Sequence, residues 1–74
     1  MAEIRLDLRG LKCPLPALKT KKALSRMTAG EELVIECTDP LTSIDIPNLL
    51  RETGDTLIDS RNVPELLVFH IQKK

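Results

Sequence analysis

The sequence places a cysteine, Cys13, inside a rigid segment, the stretch LRGLKCPLPALKTKKAL at residues 8–24. Gly10 precedes the cysteine, Pro14 and Pro16 follow it, and a lysine-rich segment with helical spacing comes next. If a helix begins at Pro14, its first backbone amides are unpaired and its dipole favours a negative charge at Cys13. Thiols in such positions have pKa values of about 3.5–7.5 instead of about 8.5. The pattern therefore predicts an exposed and activated thiol.

Other kinds of thiol chemistry have little support in this sequence. His70 is the only histidine and lies in a strand-like pattern far along the chain from Cys13, which disfavours a cysteine–histidine hydrolase. Cys37 alternates with the apolar Leu33 and Ile35, so we predict a buried structural cysteine and not half of a dithiol pair. No CxxC motif or Cys/His cluster is present, so we predict no metal site, and a chain of 74 residues leaves no room for a deep cofactor pocket. One activated thiol can still accept a group from one protein and give it to another, and sulfane sulfur fits this role.

The apolar pattern predicts the elements on either side of the cysteine. Alternating apolar residues over residues 4–8 indicate a half-buried strand that ends at Gly10. A helix is expected over about residues 14–27, with its stop at Gly30, and LVIECT at residues 33–38 is typical of a second strand. The buried stripe of that helix is predicted to consist of Ala17, Leu18, Leu24 and Met27.

The next segment is predicted to form one further helix. Pro47 would break a helix that started earlier, so we expect only a short turn over residues 40–45. A helix of about two turns then begins at Ile46, with Asp45 as its cap and Gly54 as its stop.

The end of the chain predicts an antiparallel hairpin. Its strands are DTLIDSRN at residues 55–62 and ELLVFHIQ at residues 65–72, joined by the short turn NVPE. The resulting order, β-α-β-α-β-β, predicts a single α+β domain over residues 1–74, a two-layer sandwich with both helices on one face of a four-stranded mixed sheet. The other face of the sheet is expected to be exposed to water and to carry Arg5, Asp7, Glu36, Asp59 and Gln72.

The charges of the chain balance but are unevenly distributed. There are 11 basic and 11 acidic residues, and zero net charge with a single aromatic residue, Phe69, argues against a dedicated nucleic-acid-binding protein. Acidic residues dominate residues 31–59, whereas the region of Cys13 is basic, with Arg9, Lys12, Lys19, Lys21, Lys22 and Arg26. This distribution predicts a basic docking face for an acidic partner, unless the lysines are only the solvated face of a helix.

The sequence also predicts a compartment. No stretch approaches the ~18 apolar residues that a membrane helix needs, and the N-terminal MAEIRLD enters a strand pattern without the features of a signal peptide. We therefore expect a cytoplasmic protein, in which two cysteines do not form a structural disulfide. Nothing in the sequence requires an oligomer, so a monomer is expected.

The segment around Cys13 resembles the signature of the TusA/SirA-like family of small sulfur-carrier proteins, D-x-R-G-x-x-C-P-x-P followed by a helix. The matching residues are Asp7, Arg9, Gly10, Cys13, Pro14 and Pro16. The later segment GEELVIECTDPLTSIDIP also matches, at Gly30, Asp39, Pro40, Asp45, Ile46 and Pro47. The resemblance covers about residues 4–73 and implies a fold like that of the C-terminal domain of translation initiation factor three.

The resemblance further implies a function, a persulfide carried on Cys13 without any cofactor. A donor such as a cysteine desulfurase or a rhodanese would load it, and an acceptor protein would use the sulfur for tRNA thiolation, sulfur oxidation, selenium metabolism or molybdenum-cofactor supply. The motif residues that would support the helix start are Arg9, Gly10, Pro14 and Pro16. The implied partner-docking residues are Lys12, Lys21, Lys22, Asp39 and Asp45. Leu15 and Ile44 depart from residues that are common in the family, which leaves the identity of the partner open.

Three alternatives stay open at this stage. The simplest alternative is that Cys13 lies at a helix start by chance. A second is a non-catalytic regulatory or RNA- or protein-binding module that uses the basic helix. The third is a redox switch between Cys13 and Cys37, which requires their Cα atoms to lie within about 7 Å of each other.

Overall fold

The computed structural model describes residues 3–74 and shows two helices packed on one face of a four-stranded sheet. The strand order is β1-β2-β4-β3; β1 runs parallel to β2, and the other two pairs of neighbouring strands are antiparallel. This α+β arrangement confirms the predicted fold class. The elements are β1 (Glu3–Leu8), α1 (Leu15–Ser25), β2 (Glu32–Cys37), α2 (Thr42–Thr53), β3 (Thr56–Val63) and β4 (Leu66–Gln72).

The core lies between the helices and the inward face of the sheet. The alternation seen in the sequence accounts for it, because successive strand residues point to opposite faces. The buried strand residues of this core are Leu8, Leu33, Ile35, Cys37, Leu67, Phe69 and Ile71, and the helical side contributes Leu24, Met27, Ile46 and Leu50. Full burial of one such side chain stabilises the fold by about 1.5–3 kcal/mol. On the outward face, the five polar residues predicted to be exposed to water all lie outside the core, as expected.

Helix α1 is shorter than predicted, and its buried stripe is different. It ends at Ser25, well before Gly30, which has a φ of 90° and leads into β2. The prediction that Leu18 belongs to the core is wrong, since its side chain is 56% exposed. The buried residues of α1 are Pro16, Thr20 and Leu24, one helical turn apart. At about 100° per residue, Leu18 projects away from the face that Pro16 and Thr20 share.

Helix α2 starts earlier than the sequence indicated. It runs from Thr42 to Thr53 through Pro47, so the predicted turn over residues 40–45 and the predicted cap at Asp45 are wrong. A proline lacks the amide that would bond the carbonyl four residues earlier, and its ring crowds that carbonyl. Here the carbonyl belongs to Ser43, an exposed residue in the first turn, and the helix continues through Pro47. Gly54, with a φ of 82°, ends the helix as predicted.

The hairpin of β3 and β4 is confirmed, with a tighter loop than the NVPE segment suggested. Val63 pairs with Leu66, so only Pro64 and Glu65 form the loop, and Glu65 takes the positive φ of 65°. A register shift at Ile58 interrupts the β3 ladder. Within residues 3–74, none of the helices is long and apolar enough to cross a membrane.

Candidate functional site

Cys13 lies in the loop that connects β1 to α1, with an exposed and free thiol. Gly10 makes the turn out of β1 with a φ of 83°, a conformation that glycine adopts without steric cost. The Gly10 amide donates a hydrogen bond of 2.8 Å to the Thr38 hydroxyl, which ties this loop to the end of β2. The Cys13–Pro14 peptide bond is cis. The motif residues thus give Cys13 a defined place at one end of the sheet.

Asp39 joins the cysteine loop to the start of α2. Its Oδ2 accepts a hydrogen bond of 2.7 Å from the Cys13 backbone amide, and its Oδ1 accepts one of 2.9 Å from the Leu41 amide. The bond from Cys13, followed by the bond from Leu41 and the charge of Lys12, lowers the pKa of the Asp39 carboxyl below its usual range. Asp39 was expected to contact a partner. In the structure it also accepts a hydrogen bond that holds the backbone of Cys13 in place.

The Asp-x-Arg part of the motif is a local ion pair at the end of β1. Arg9 Nε lies 2.9 Å from Asp7 Oδ1 and Arg9 Nη2 lies 3.0 Å from Asp7 Oδ2, a bidentate arrangement. The Arg9 backbone amide also donates to Asp7 Oδ1, at 3.0 Å. These contacts with Arg9 lower the pKa of the Asp7 carboxyl to about 2. Arg9 is thus tied to Asp7 at the end of β1, and its predicted support of the helix start stays a prediction.

Fewer free helix amides surround the start of α1 than the sequence suggested. Pro14 and Pro16 carry no amide hydrogen, and the Leu15 amide donates to the carbonyl of Lys12 at 2.9 Å. Further along, the Leu18 amide bonds the carbonyl of Pro14 at 3.1 Å. The two prolines that stiffen the segment thus remove two of the donors that were expected to stabilise a thiolate, and the Leu15 and Leu18 amides are engaged elsewhere.

The environment of Cys13 raises its pKa, so the predicted depression of the thiol pKa is wrong. A hydrogen bond to the Asp45 carboxylate favours the protonated thiol, and partial desolvation and the negative charges of Asp45 and Asp39 act in the same direction. Asp45 was predicted as a cap and a docking residue. The early start of α2 instead places its carboxylate beside the sulfur.

A shallow groove between α1 and α2 opens beside the thiol. Its lining consists of Cys13, Pro14, Ala17, Leu18, Lys21, Asp45, Asn48, Leu49 and Glu52. Four large apolar residues at the starts of α1 and α2 are 46–59% exposed, and we call Leu15, Leu18, Leu41 and Ile44 the apolar collar. Leu18 lines the groove, and the other three lie within two residues of Cys13, Asp39 or Asp45 along the chain. Sequence analysis noted Leu15 and Ile44 only as departures from the family pattern. The sequence did contain a signal for their exposure, because Leu15 and Leu18 do not share the face of α1 that packs on the sheet.

The structure brings only part of the predicted basic face to the thiol. Lys12 precedes Cys13 directly and is exposed, and Lys21 lines the groove together with Cys13. Lys22 instead lies on the other side of α1, in a depression that it shares with Lys19 and Arg26. A partner over the groove therefore meets Lys12 and Lys21 first.

Cys37 is the buried structural cysteine that the strand pattern predicted. Its side chain is fully buried in the core, and this burial raises the pKa of its thiol to about 11. Both cysteines are free thiols. The hydrogen-bonding partner of His70 is Glu32, on the outward face of the sheet, so the histidine is not part of the thiol site.

Comparison with known proteins gives a consistent result over nearly the whole chain. Residues 4–73 match the family described as sulfurtransferase TusA. The sulfur carrier protein TusA of Allochromatium vinosum is 38% identical over 68 residues, which cover 92% of this chain and 90% of that protein. A protein of Neisseria meningitidis named as a candidate sulfur carrier is 39% identical over 69 residues, 93% of each chain. A similarly named protein of Bacillus subtilis, YrkI, is 34% identical over 68 residues, 92% of this chain and 91% of its own.

Proposed function

The chain belongs to the TusA sulfurtransferase family, and we propose that it carries sulfane sulfur as a persulfide on Cys13 and relays it from a donor protein to an acceptor protein. One observation carries this proposal. The thiol at the motif position is free and exposed, and Asp39 holds its backbone, whereas the other thiol, on Cys37, is fully buried. A carrier needs a single accessible sulfur in a defined position, and Cys13 meets that need.

Loading of Cys13 is a thiol–persulfide exchange. The Cys13 thiolate attacks the outer sulfur of a persulfide on the donor, a new S–S bond forms at Cys13, and the donor sulfur leaves as a thiolate. The S–S bond that breaks supplies the one that forms, so no external oxidant is needed. The proton of the resting thiol passes to the donor thiolate that leaves. The negative charges of Asp45 and Asp39, which also raise the Cys13 pKa, then repel the persulfide anion, which favours its delivery to an acceptor.

The surroundings of the thiol define the surface that a partner must cover. The apolar collar supplies area that is favourable to bury, and Lys12 and Lys21 supply positive charge next to it. We assign this surface to both the donor and the acceptor, since each must reach the same sulfur. Donors such as a cysteine desulfurase or a rhodanese, with delivery to tRNA thiolation or another sulfur pathway, fit the proposal. Two free thiols also fit a reducing compartment such as the cytoplasm.

Mass spectrometry after loading tests the proposal directly. Incubation with a cysteine desulfurase and cysteine, or with a rhodanese and thiosulfate, should add one sulfur atom, about 32 Da, to the peptide that contains Cys13. Cys13→Ser should abolish the adduct, and the matched variant Cys37→Ala should retain it. An adduct that persists in Cys13→Ser, or none at Cys13 in the unaltered protein, would contradict the proposal. Salt-dependent RNA binding that survives Cys13→Ser, without any adduct, would support the regulatory-module alternative.

A further inference from the structure

The outward face of the sheet, opposite the helices, carries a cluster of metal-ligating side chains. Within residues 3–74, one group of this kind occurs, formed by Glu3, Glu32 and His70, whose ligand atoms all lie within 4.8 Å of one another. We propose that these three side chains bind a divalent transition-metal ion of the Zn²⁺ class. The proposal is independent of the sulfur-carrier function, because Glu3 and the Cys13 loop lie at opposite ends of β1, roughly 16 Å apart along the strand.

Strand pairing assembles the cluster from distant parts of the chain. Glu3 on β1 is the direct partner of Glu32 on β2 in the parallel ladder. On the other side of β2, Val34 pairs with His70 of β4 and Glu32 pairs with Gln72, so His70 is the diagonal neighbour of Glu32. All three ligands therefore stand on hydrogen-bonded strands of one sheet, and their backbone positions are fixed before any ion binds.

The geometry is close to that of a three-ligand zinc site. In tetrahedral coordination with bonds of about 2.0–2.2 Å, ligand atoms lie about 3.3 Å from each other. His70 Nε2 and a Glu32 oxygen are already in hydrogen-bonding contact, so small rotations of the exposed Glu3 side chain would complete the set. A bound ion replaces the hydrogen bond between His70 and Glu32, and His70 then keeps its proton on Nδ1. A fourth position is left open to water.

The choice of metal follows from the donor atoms. One imidazole nitrogen and two carboxylate oxygens suit Zn²⁺ and its neighbours in the first transition row, whereas Mg²⁺ and Ca²⁺ prefer oxygen ligands alone. Soft thiolate-preferring ions are disfavoured, because no cysteine is in the cluster.

The charges around the cluster permit binding of a cation. Glu3 forms an ion pair with Arg5, with an N···O distance of 3.4 Å, and Asp59, which pairs with His70 across the sheet, forms one with Arg61 at 3.4 Å. Both arginine side chains are largely exposed and can turn into solvent. Next to the cluster, the three carboxylates of Glu3, Glu32 and Asp59 then outnumber the two guanidinium groups of Arg5 and Arg61.

A titration with Zn²⁺, followed by NMR of the imidazole, tests the inference. His70 is the only histidine, so its ring signals report on this site alone. The full chain with Cys13→Ser is used, because an exposed thiol would also bind zinc. We expect a saturable 1:1 shift of the His70 signals with Zn²⁺ and no shift with Mg²⁺ at the same concentration.

Ligand variants in the same Cys13→Ser background distinguish a site from loose ion association. Glu32→Gln and Glu3→Gln should each weaken Zn²⁺ binding by about tenfold or more. Glu36→Gln, on the same strand and face as Glu32 but outside the cluster, should bind as before. Glu3 is exposed, so its variant keeps the test valid even if a change at the half-buried Glu32 disturbs folding. Absence of a shift at millimolar Zn²⁺, or equal weakening by Glu36→Gln, would overturn the proposal.

Discussion

Replacing Leu18 by glutamine should weaken docking of a sulfur donor while leaving the thiol itself intact. Leu18 lines the groove next to Cys13, and 56% of its surface is exposed. Full burial of a leucine side chain is worth about 1.5–3 kcal/mol, so a partner that covers the exposed fraction gains about 0.8–1.7 kcal/mol. Loss of that contribution corresponds to an affinity that is about 4- to 18-fold weaker.

The assay is the steady-state rate of sulfur transfer from a cysteine desulfurase, measured as carrier-bound persulfide over a range of carrier concentrations. The lost interaction is present both in the docked complex and in the transition state of transfer. KM should therefore rise by this factor, and kcat should stay the same. Ile44→Gln, at another member of the apolar collar with 59% exposure, should act in the same way. Alkylation of Cys13 by iodoacetamide should proceed at the original rate in both variants.

Ile58→Gln provides the matched control for this experiment. Ile58 is a similarly exposed apolar residue, at 46%, but it lies on β3 and not beside the thiol groove. Its replacement should leave KM unchanged. An unchanged KM for Leu18→Gln, or an equal increase for Ile58→Gln, would refute the assignment of the collar as the donor contact.

Two further predictions concern the charges around the motif. Asp45→Asn removes the carboxylate that raises the Cys13 pKa, so the pH profile of iodoacetamide alkylation should move to lower pH and the rate at neutral pH should increase. The control variant Glu52→Gln, in the same groove, should leave the profile in place. An unshifted profile for Asp45→Asn would contradict the prediction. In Arg9→Ala, the Asp7 carboxyl should titrate nearer its ordinary value of 3.8 instead of about 2, as read from its carboxyl ¹³C signal. The Asp7 pKa is lower in the folded than in the unfolded protein, so this ion pair stabilises the fold above pH ~4 and its contribution is lost as the pH falls towards 2. If the titration midpoint of Asp7 stayed near 2 in Arg9→Ala, the guanidinium would be excluded as the cause.

Much of the fold could be predicted because it depends on short-range patterns. The strand of residues 4–8 showed period-two alternation, the turn NVPE marked the hairpin, and Gly54 marked the end of α2, where it adopts the left-handed conformation. The start of α2 could not be predicted in the same way. Proline is unfavourable inside a helix, whereas the packing of Ile46 and Leu50 in the core, which favours α2 in spite of Pro47, is a property of the folded protein.

The candidate site was predictable in some of its residues but not in its electrostatics. The motif identified Cys13 and Asp39, and the structure joins them by a hydrogen bond of 2.7 Å. The sign of the thiol pKa shift depends on Asp45, which is far along the chain and reaches the sulfur only because α2 begins early. The cluster of Glu3, Glu32 and His70 depends on strand register, which spacing along the sequence does not reveal.

The two cysteines show why the direction of a pKa shift does not by itself define a reactive thiol. Both pKa values are raised, but burial is the main cause at Cys37, whereas carboxylate neighbours are the main cause at Cys13. Cys37 is reached by water only when the core opens, and its thiol is therefore inert in the folded protein. The effect of Asp45 on Cys13 ends as soon as a partner neutralises or protonates that carboxylate. In the proposed relay, the raised pKa therefore keeps the exposed thiol protonated, and less prone to oxidation, until a docked donor changes the charge next to it.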